Sequence, residues 1–467
     1  MPDTSTRRKF MKSGIAATAG IMTAQCAKPT SPPNLIFILT DDQRYDALGC
    51  AGNQLIHTPN MDRLAARGVL FRQACVTLSI CTPSRAVCLT GRYGSANGVD
   101  GLGKPINAGE RTVAQILADA GYATGYVGKW HLPGQTPTEL GFQFDIHFKI
   151  SNGPWWDRIT IEQDVEIETE GFVADYIADK SIAFMKNAVS KREKFFLHIG
   201  TQLPHVTERR TWEPRPETLA RYNPEDMPLP GSMHDDLSGK PEYLKTNRNQ
   251  EMGKADGYHN ADGIRQNTTE YWASTTDLDT AVGRIMDTVD QLGIADNTWI
   301  ILMGDNGWFM GEHGFTSKKL AYEESMRVPM IVAGPGVKSF VDDNLVMNID
   351  IMPTLLELAE VPIADNVHGT SMVPLICCGD LNWRRVQYYE APRPGFGSWP
   401  FFALRTKKWK YIQTRDIDQP DQVVFEELYN IQTDADELHN LANNPDTQDE
   451  LEFLREELVR QQAAVAG

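Results

Sequence analysis

The segment Cys81-Thr82-Pro83-Ser84-Arg85-Ala86-Val87-Cys88-Leu89-Thr90-Gly91-Arg92 puts a thiol, a proline and a guanidinium at the start of one predicted helix. Pro83 suits a first helical turn, where its missing N–H costs nothing. Cys81 then stands at the helix N-terminus, where unpaired N–H groups and the helix dipole favour an anion. Arg85 follows one turn later on the same face. Together they form a cradle for a tetrahedral anion such as sulfate or phosphate. Taken alone, Cys81 also fits an ordinary buried thiol.

Other polar groups stand where apolar runs end. Asp41-Asp42 follow the run from Asn34 to Thr40. Two adjacent carboxylates behind a buried strand are costly unless their charge is offset. A divalent cation is one answer; a helix cap beside a surface Asp is the other. Asp305-Asn306 follow the run Trp299 to Met303. With Asp41 and Asp42 they make a set of oxygen donors without imidazole or thiolate, which favours Ca²⁺, with Mg²⁺ as runner-up. Read alone, Asp305-Asn306-Gly307 is a tight turn. Lys129 and His131, two residues apart, share one side of an extended segment; lysine binds a sulfate oxygen and histidine passes a proton. Lys318-Lys319 reads alone as a solvated pair, and Leu203-Pro204-His205 closes a further apolar run.

The elements that must position these groups follow from periodicity. Strands are predicted at Asn34–Thr40, Val69–Phe71, Tyr122–Val127, Phe195–Gly200, Thr298–Met303 and Met330–Ala333, with helices at 60–68, 111–120, 173–189, 271–292 and 351–359. Continuous apolar strands alternating with helices indicate a doubly wound α/β domain whose ligands gather at the strands' C-terminal ends. Residues 209–268 are polar, rich in Pro, Gly and Asn, and weakly periodic, so a long functional loop is expected there. From Trp383 the pattern changes to short strands at 387–390, 401–405, 409–414 and 427–429 and a charged helix at 447–464, a small antiparallel sheet with a helix. The expected organisation is 1–33 leader and linker, 34–380 main α/β domain, and 381–467 C-terminal α+β subdomain.

Composition sets limits. A formal net charge of -17 argues against nucleic acid as a partner and leaves any anionic substrate to a local basic pocket. The cysteines at 26, 50, 75, 81, 88, 377 and 378 have no metal-type spacing, and the adjacent Cys377-Cys378 is no obvious disulfide pair. Arg7-Arg8-Lys9-Phe10, then the small apolar run Gly14 to Met22, reads as a twin-arginine export signal too short to span a membrane, implying a periplasmic or extracellular destination. Cys26 is not expected to carry lipid, because bulky Gln25 precedes it.

The string from Cys81 to Arg92 resembles the signature of the sulfatase family, within the alkaline-phosphatase-like superfamily, and the similarity extends over nearly all of residues 34–443. Its later parts are Gly128-Lys129-Trp130-His131, Gly304-Asp305-Asn306-Gly307, the stretch Gly311 to Pro329 holding Lys318, and Glu427-Leu428-Tyr429-Asn430 with Glu437 and Asn440-Leu441-Ala442. The resemblance implies a large mixed, mostly parallel sheet flanked by helices, with a small C-terminal antiparallel sheet. It implies that Cys81 is converted to formylglycine (3-oxoalanine) by a sulfatase-maturating enzyme. Asp41, Asp42, Asp305 and Asn306, completed by residue 81, are the implied calcium ligands, and Arg85, Lys129, His131, His205 and Lys318 the sulfate-binding and proton-transfer set. His205 departs from the family's Pro-His-x-Pro, since Thr207 replaces the second proline. The implied reaction is hydrolysis of a sulfate ester, from a sulfated carbohydrate, through a gem-diol nucleophile and a covalent sulfo-enzyme intermediate, with Asp305 taking the first proton. Trp155 and Trp156 are candidates to stack on a sugar, Arg209 and Arg210 to meet a second anionic group, and His313 to line the same site; the loop 209–268 and the segment 393–399 are the expected specificity elements. Two alternatives stand: a phosphonate monoester or phosphodiester hydrolase of the same superfamily, and a non-catalytic binder of sulfated glycans.

Overall fold

Asn34–Thr40 (β1), Phe195–Gly200 (β7) and Thr298–Gly304 (β8) are apolar along nearly their whole length and buried at every position, as strands covered on both faces must be. The computed structural model describes residues 32–378 and 382–466. Its main sheet has ten strands. Besides β1, β7 and β8 it holds β2 (Gly68–Phe71), β3 (Ala123–Gly128), β4 (Phe144–Phe148), β5 (Ile159–Glu162), β6 (Val165–Glu168), β11 (Met330–Ala333) and β12 (Phe340–Asp342). The order is β12-β2-β11-β8-β1-β7-β3-β4-β5-β6. The central strands β8, β1, β7, β3 and β4 are parallel, and antiparallel pairs occur only toward the two edges. Between β8 and β11 lies a short hairpin of β9 (Phe309–Met310) and β10 (Thr316–Ser317).

Helices cover both faces. Val173–Ser190 and the long Ala261–Gln291 pack together on one face, in a core that includes Ile36, Leu197 and Leu302. Cys81–Thr90, Val113–Asp119 and Ile351–Leu358 cover the other, with Phe37, Phe196 and Ile301. The C-terminal sheet is four antiparallel strands in sequence order, β13 (Gln387–Ala391), β14 (Phe401–Arg405), β15 (Trp409–Arg415) and β16 (Val423–Asn430). The helix Gln448–Ala466 buries Leu451, Leu454 and Leu458 against Leu404, Tyr411 and Leu428 of this sheet.

The segment 209–268 is less irregular than its composition suggests. It contains the helix Arg248–Ala255, and the long helix begins at Ala261 rather than Tyr271. The Asn247 and Asn260 side chains accept hydrogen bonds from Gln250 N and Gly263 N, so two residues that read as loop formers are N-caps. Cys377 is disulfide-bonded, which its spacing did not announce. The export signal, Cys26 and the proposed boundary at 380/381 lie outside the described residues. No helix among the described residues is long and apolar enough to cross a membrane.

Candidate active site

The adjacent strands β8, β1, β7 and β3 end side by side, with Thr40 opposite Gly304, Leu39 opposite Gly200 and Gly128 opposite Gly200. From these ends come Asp305-Asn306, Asp41-Asp42, His205 and Lys129. All are buried, and backbone bonds such as Asp305 N to Thr40 O (2.8 Å) fix the turns that carry them. Asp42 sits in the left-handed region (φ 59°), which turns its carboxylate back toward β8.

Cys81 enters from the opposite side, at the first position of the helix Cys81–Thr90. Ile80 is extended (φ -140°) and gives no side-chain cap. Gly91, at φ 64°, stops the helix with its N–H on Val87 O. Lys318 Nζ lies 2.7 Å from Cys81 Sγ, Asp41 Oδ1 3.3 Å and Lys129 Nζ 4.0 Å. The two ammonium groups also bind carboxylates, Lys129 that of Asp41 and Lys318 that of Asp42. The carboxylate beside Cys81 is therefore Asp41. Asp305 lies behind this contact: its Oδ2 takes Arg85 Nη2 (2.8 Å) and Nε (3.0 Å), and its Oδ1 takes Asp42 N (3.2 Å).

Arg85 is wholly inside. Its Nη1 donates to Lys129 O at 2.7 Å, and Tyr126 OH donates to the same carbonyl. Gly200 makes room for this arrangement, because a Cβ there would lie 2.4 Å from Tyr126 OH and 2.6 Å from Lys129 O. His131 does not continue an extended segment: its φ is 61°, its carbonyl accepts from Thr82 Oγ1 (2.9 Å), and its Nδ1 is buried without a partner.

Several acceptors here lack donors. Asn306 Nδ2 donates to Asp42 and to Gly307 O, leaving Asn306 Oδ1 buried and unpartnered, as is Asp42 Oδ2. His205 Nδ1 bonds Val206 O (2.6 Å), so Nε2 faces Asp42 Oδ2 at 3.5 Å with its lone pair. Orphaned buried acceptors cost free energy, and a divalent cation would satisfy all three. Asp41, Asp42, Cys81 and His205 bring one ligand atom each within 4.8 Å of one another, a set that fits a metal ion. Burial pushes the Asp42 carboxyl up to about 7, and burial with the Asp41 charge pushes Asp305 to about 6. Burial alone would also raise Asp41, but Lys129, His205, Arg85 and Lys318 hold it well below the usual carboxylate range. Burial, then Lys129 and Arg85, lower His131 to about 2, while burial and Lys129 keep His205 neutral. Burial and Asp41 raise the Cys81 thiol.

The structure adds one strap that sequence reasoning missed. Asn152 Oδ1 accepts from Lys129 Nζ at 2.6 Å. Its loop is fastened by Gln202 Nε2 to Gly153 O (2.8 Å) and by Arg158, which lies 3.5 Å over the Phe148 ring and donates to Gln202 Oε1 and Ile150 O. The spacing of these residues carries no motif.

The low-ranked substrate candidates fare differently. Trp155 is fully buried against Phe172 and has no ring face to offer a sugar. His313 is also buried, in a left-handed turn (φ 54°), with its Nδ1 2.7 Å from Asp235 Oδ2. Trp156 is 38% exposed but rests on Phe172 and donates to Glu213 O. Arg210 pairs with Asp256 (3.2 Å), and Arg209 is exposed.

Residues 33–361 match the sulfatase family model, and residues 311–464 match the model of the N-sulphoglucosamine sulphohydrolase C-terminal region. The chain belongs to the sulfatase family. This sulfatase, a sulfuric ester hydrolase, is 29% identical to the N-acetylglucosamine-6-O-sulfatase of Bacteroides thetaiotaomicron, over 95% of this chain and 90% of that protein. A protein solved in complex with its substrate D-glucosamine-2-N,6-O-disulfate superimposes with a TM-score of 0.85 and 26% identity, covering 93% of the sulfatase and 98% of that chain. The fold is wider than the chemistry: the phosphonate monoester hydrolase of Agrobacterium radiobacter reaches a TM-score of 0.75 at 20% identity, over 93% of this chain and 96% of that one.

Proposed function

We propose that this sulfatase is exported, that Cys81 is converted to formylglycine, that its cation is Ca²⁺, and that it removes sulfate from sulfated sugars. The observation that carries this reading is the convergence of Lys318, Asp41 and Lys129 on Cys81 Sγ. A buried thiol whose deprotonation is disfavoured is a poor nucleophile, which supports reading Cys81 as a precursor. The hydrated aldehyde made from it supplies one hydroxyl to attack sulfur and a second to release sulfate. Asp41, Asp42, Asp305 and Asn306, with residue 81, would hold the divalent cation, which would supply fixed positive charge to the site.

The remaining work falls to side chains. Lys129 and Lys318 neutralise charge gathering on the sulfuryl group, at a site already desolvated. Arg85 holds Asp305 and the Lys129 carbonyl, so it orients both sides of the cluster. Lys318 donates the proton to the leaving alcohol, since neutral His205 turns a lone pair to the site, and His131, whose Nδ1 is buried without a partner, accepts the proton lost from residue 81 as sulfate leaves. Oxygen donors favour Ca²⁺ over softer metals, and the His205 nitrogen near Asp42 sits at the edge of this set. Similarity to an N-acetylglucosamine-6-O-sulfatase along nearly the full chain supports a carbohydrate sulfate.

Intact mass of the peptide spanning Cys81 is expected to show formylglycine after co-expression with a maturating enzyme. Fully active protein with an unmodified thiol would overturn the mechanism. Cys81→Ala is expected to abolish sulfate release from sulfated sugars with the fold retained. Chelation is expected to stop turnover, with Ca²⁺ restoring it better than Mg²⁺. Faster turnover of an aryl phosphonate than of any sulfate ester would favour the phosphonate reading.

A further inference from the structure

A cavity of about 560 Å³ opens beside the nucleophile's helix, within the range of ligand pockets. Thr82 and His131 line its inner end, and Thr82 directly follows Cys81. The strap beside it faces two ways: Lys149 and Ser151 line the cavity, while Asn152 holds Lys129. A molecule with its sulfate at Cys81 therefore has this cavity next to its remaining atoms.

We propose that the cavity receives the carbon framework of the substrate sugar and that His147 and Lys149 bind a second anionic group on it. This rests on the carbohydrate reading. Leu102 and Trp130 supply apolar wall for the C–H face of a pyranose. Strand alternation along β4 puts Asp145 and His147 on one face, and Lys149 follows at the next alternate position. Asp145 is fully buried, and its Oδ1 binds His147 Nδ1 at 2.9 Å. That bond fixes the ring, and the imidazolium form, balanced by the buried Asp145 carboxylate, presents its Nε2–H to an anion. Asp145 Oδ2 is buried without a partner, so the pair has no competing bond to turn it away. Lys149 pairs with Glu166 at 2.7 Å, but both side chains are largely exposed. Such a pair is worth little, so the ammonium can turn to an incoming anion at small cost. In a chain of net charge -17 the general field does not collect anions, and a local pair of nitrogen donors must.

The second anion is an N-sulfate on the same ring or a carboxylate on a neighbouring ring; both offer oxygens to the same two donors. The test compares matured wild type, Lys149→Gln and His147→Gln on four substrates: glucosamine-2-N,6-O-disulfate, a 6-O-sulfated disaccharide with a uronic acid, glucosamine 6-O-sulfate and 4-nitrophenyl sulfate. Losing a charged hydrogen bond is expected to lower the kcat/KM preference for a dianionic over the monosulfated sugar by about tenfold, mostly through KM. The dianionic sugar that shows the change names the source of the anion. Lys149 is at the surface, so its variant keeps the test valid if His147→Gln fails to fold. An unchanged preference in the variants, a wild type with no preference for a second anion, or an equal loss on 4-nitrophenyl sulfate overturns the subsite. Wild type that cleaves 4-nitrophenyl sulfate and none of the sugars overturns the carbohydrate reading, and the subsite with it.

Discussion

Two clusters of buried carboxylates and cations differ in what their side chains meet besides each other. The first joins the two sheets. Glu323 takes Arg405 at 2.7 and 2.8 Å and Lys410 at 2.8 Å, and Lys410 meets Glu437 at 2.9 Å. Glu427 accepts from Tyr322 OH (2.6 Å) and Tyr429 OH (2.7 Å), and Glu437 accepts from Glu323 N (2.8 Å). Each of Glu323, Arg405, Lys410 and Glu437 is met by an opposite charge from another segment. The second cluster is the active site. There the cations Lys318 and Lys129, besides pairing with Asp42 and Asp41, both reach the uncharged Sγ of Cys81, and Asp42 Oδ2 and Asn306 Oδ1 keep no donor. Closed pairing makes a joint, whereas donors and acceptors aimed at one side chain make a place for charge that arrives with the substrate.

The sharpest way to break this contrast is to neutralise one charge in each cluster. Lys318→Met is expected to lower kcat on the order of 10²–10³-fold, as loss of one fixed charge at a reacting centre does. In calcium-loaded protein its Tm is expected to move by less than about 3 °C. Normal kcat with a collapsed Tm would make the site merely a second joint. Glu323→Gln is the converse. It strands Arg405 and Lys410 without their shared carboxylate, at a cost of about 3–5 kcal/mol. A large drop in Tm is expected with wild-type kcat for the folded fraction; an unmoved Tm would sink the joint.

Acid sharpens the comparison with a smaller effect. Burial alone would raise the Glu323 carboxyl, but Arg405 and Lys410 hold it well below the usual range. A depressed folded value contributes stability above the unfolded value of about 4.3, and that contribution is lost as pH falls from there toward the folded value. Tm of the wild type is expected to fall through this window, and Tm of Glu323→Gln to fall less. Parallel acid limbs in the two proteins would show that the carboxylate is not what the joint titrates.

Much of this was legible in the sequence, for physical reasons. Strands covered on both faces must be continuously apolar, so β1, β7, β8 and β11 stand out, and the polar residues that end the first three mark the site. The helix start at Cys81 was readable from Pro83. What escaped lies where function depends on contacts distant in sequence. The hairpin of β5 and β6 at the sheet edge is half-polar and exposed, so it lacks the apolar signal. Asn152 meets Lys129 through a loop fastened by Arg158 and Gln202, and no spacing rule joins these residues. Trp155 and Trp156 are identical neighbours, and only the fold decides that the first is core and the second is not. The strand end announces Asp305, but not that Arg85 binds its Oδ2.

Tyr126 offers the finest test, since it touches neither the nucleophile nor a carboxylate. Its hydroxyl donates to Lys129 O, the carbonyl that also accepts from Arg85 Nη1. Tyr126→Phe leaves that acceptor with one donor, so nothing is orphaned, and the net loss is about 0.5–1.5 kcal/mol. If the carbonyl only completes the fold, that loss appears in Tm and kcat stays where it was. If it fixes the angle at which Lys129 approaches residue 81, part of the loss appears as a few-fold fall in kcat with KM unmoved, because a displaced ammonium weakens the transition state more than the bound substrate. Gly200→Ala should enlarge the same signature by pressing a methyl group on Tyr126 OH and Lys129 O. A Tyr126→Phe enzyme with unchanged kcat would mean that Arg85 at the carbonyl, with Asp41 and Asn152 at Nζ, positions Lys129 without the hydroxyl.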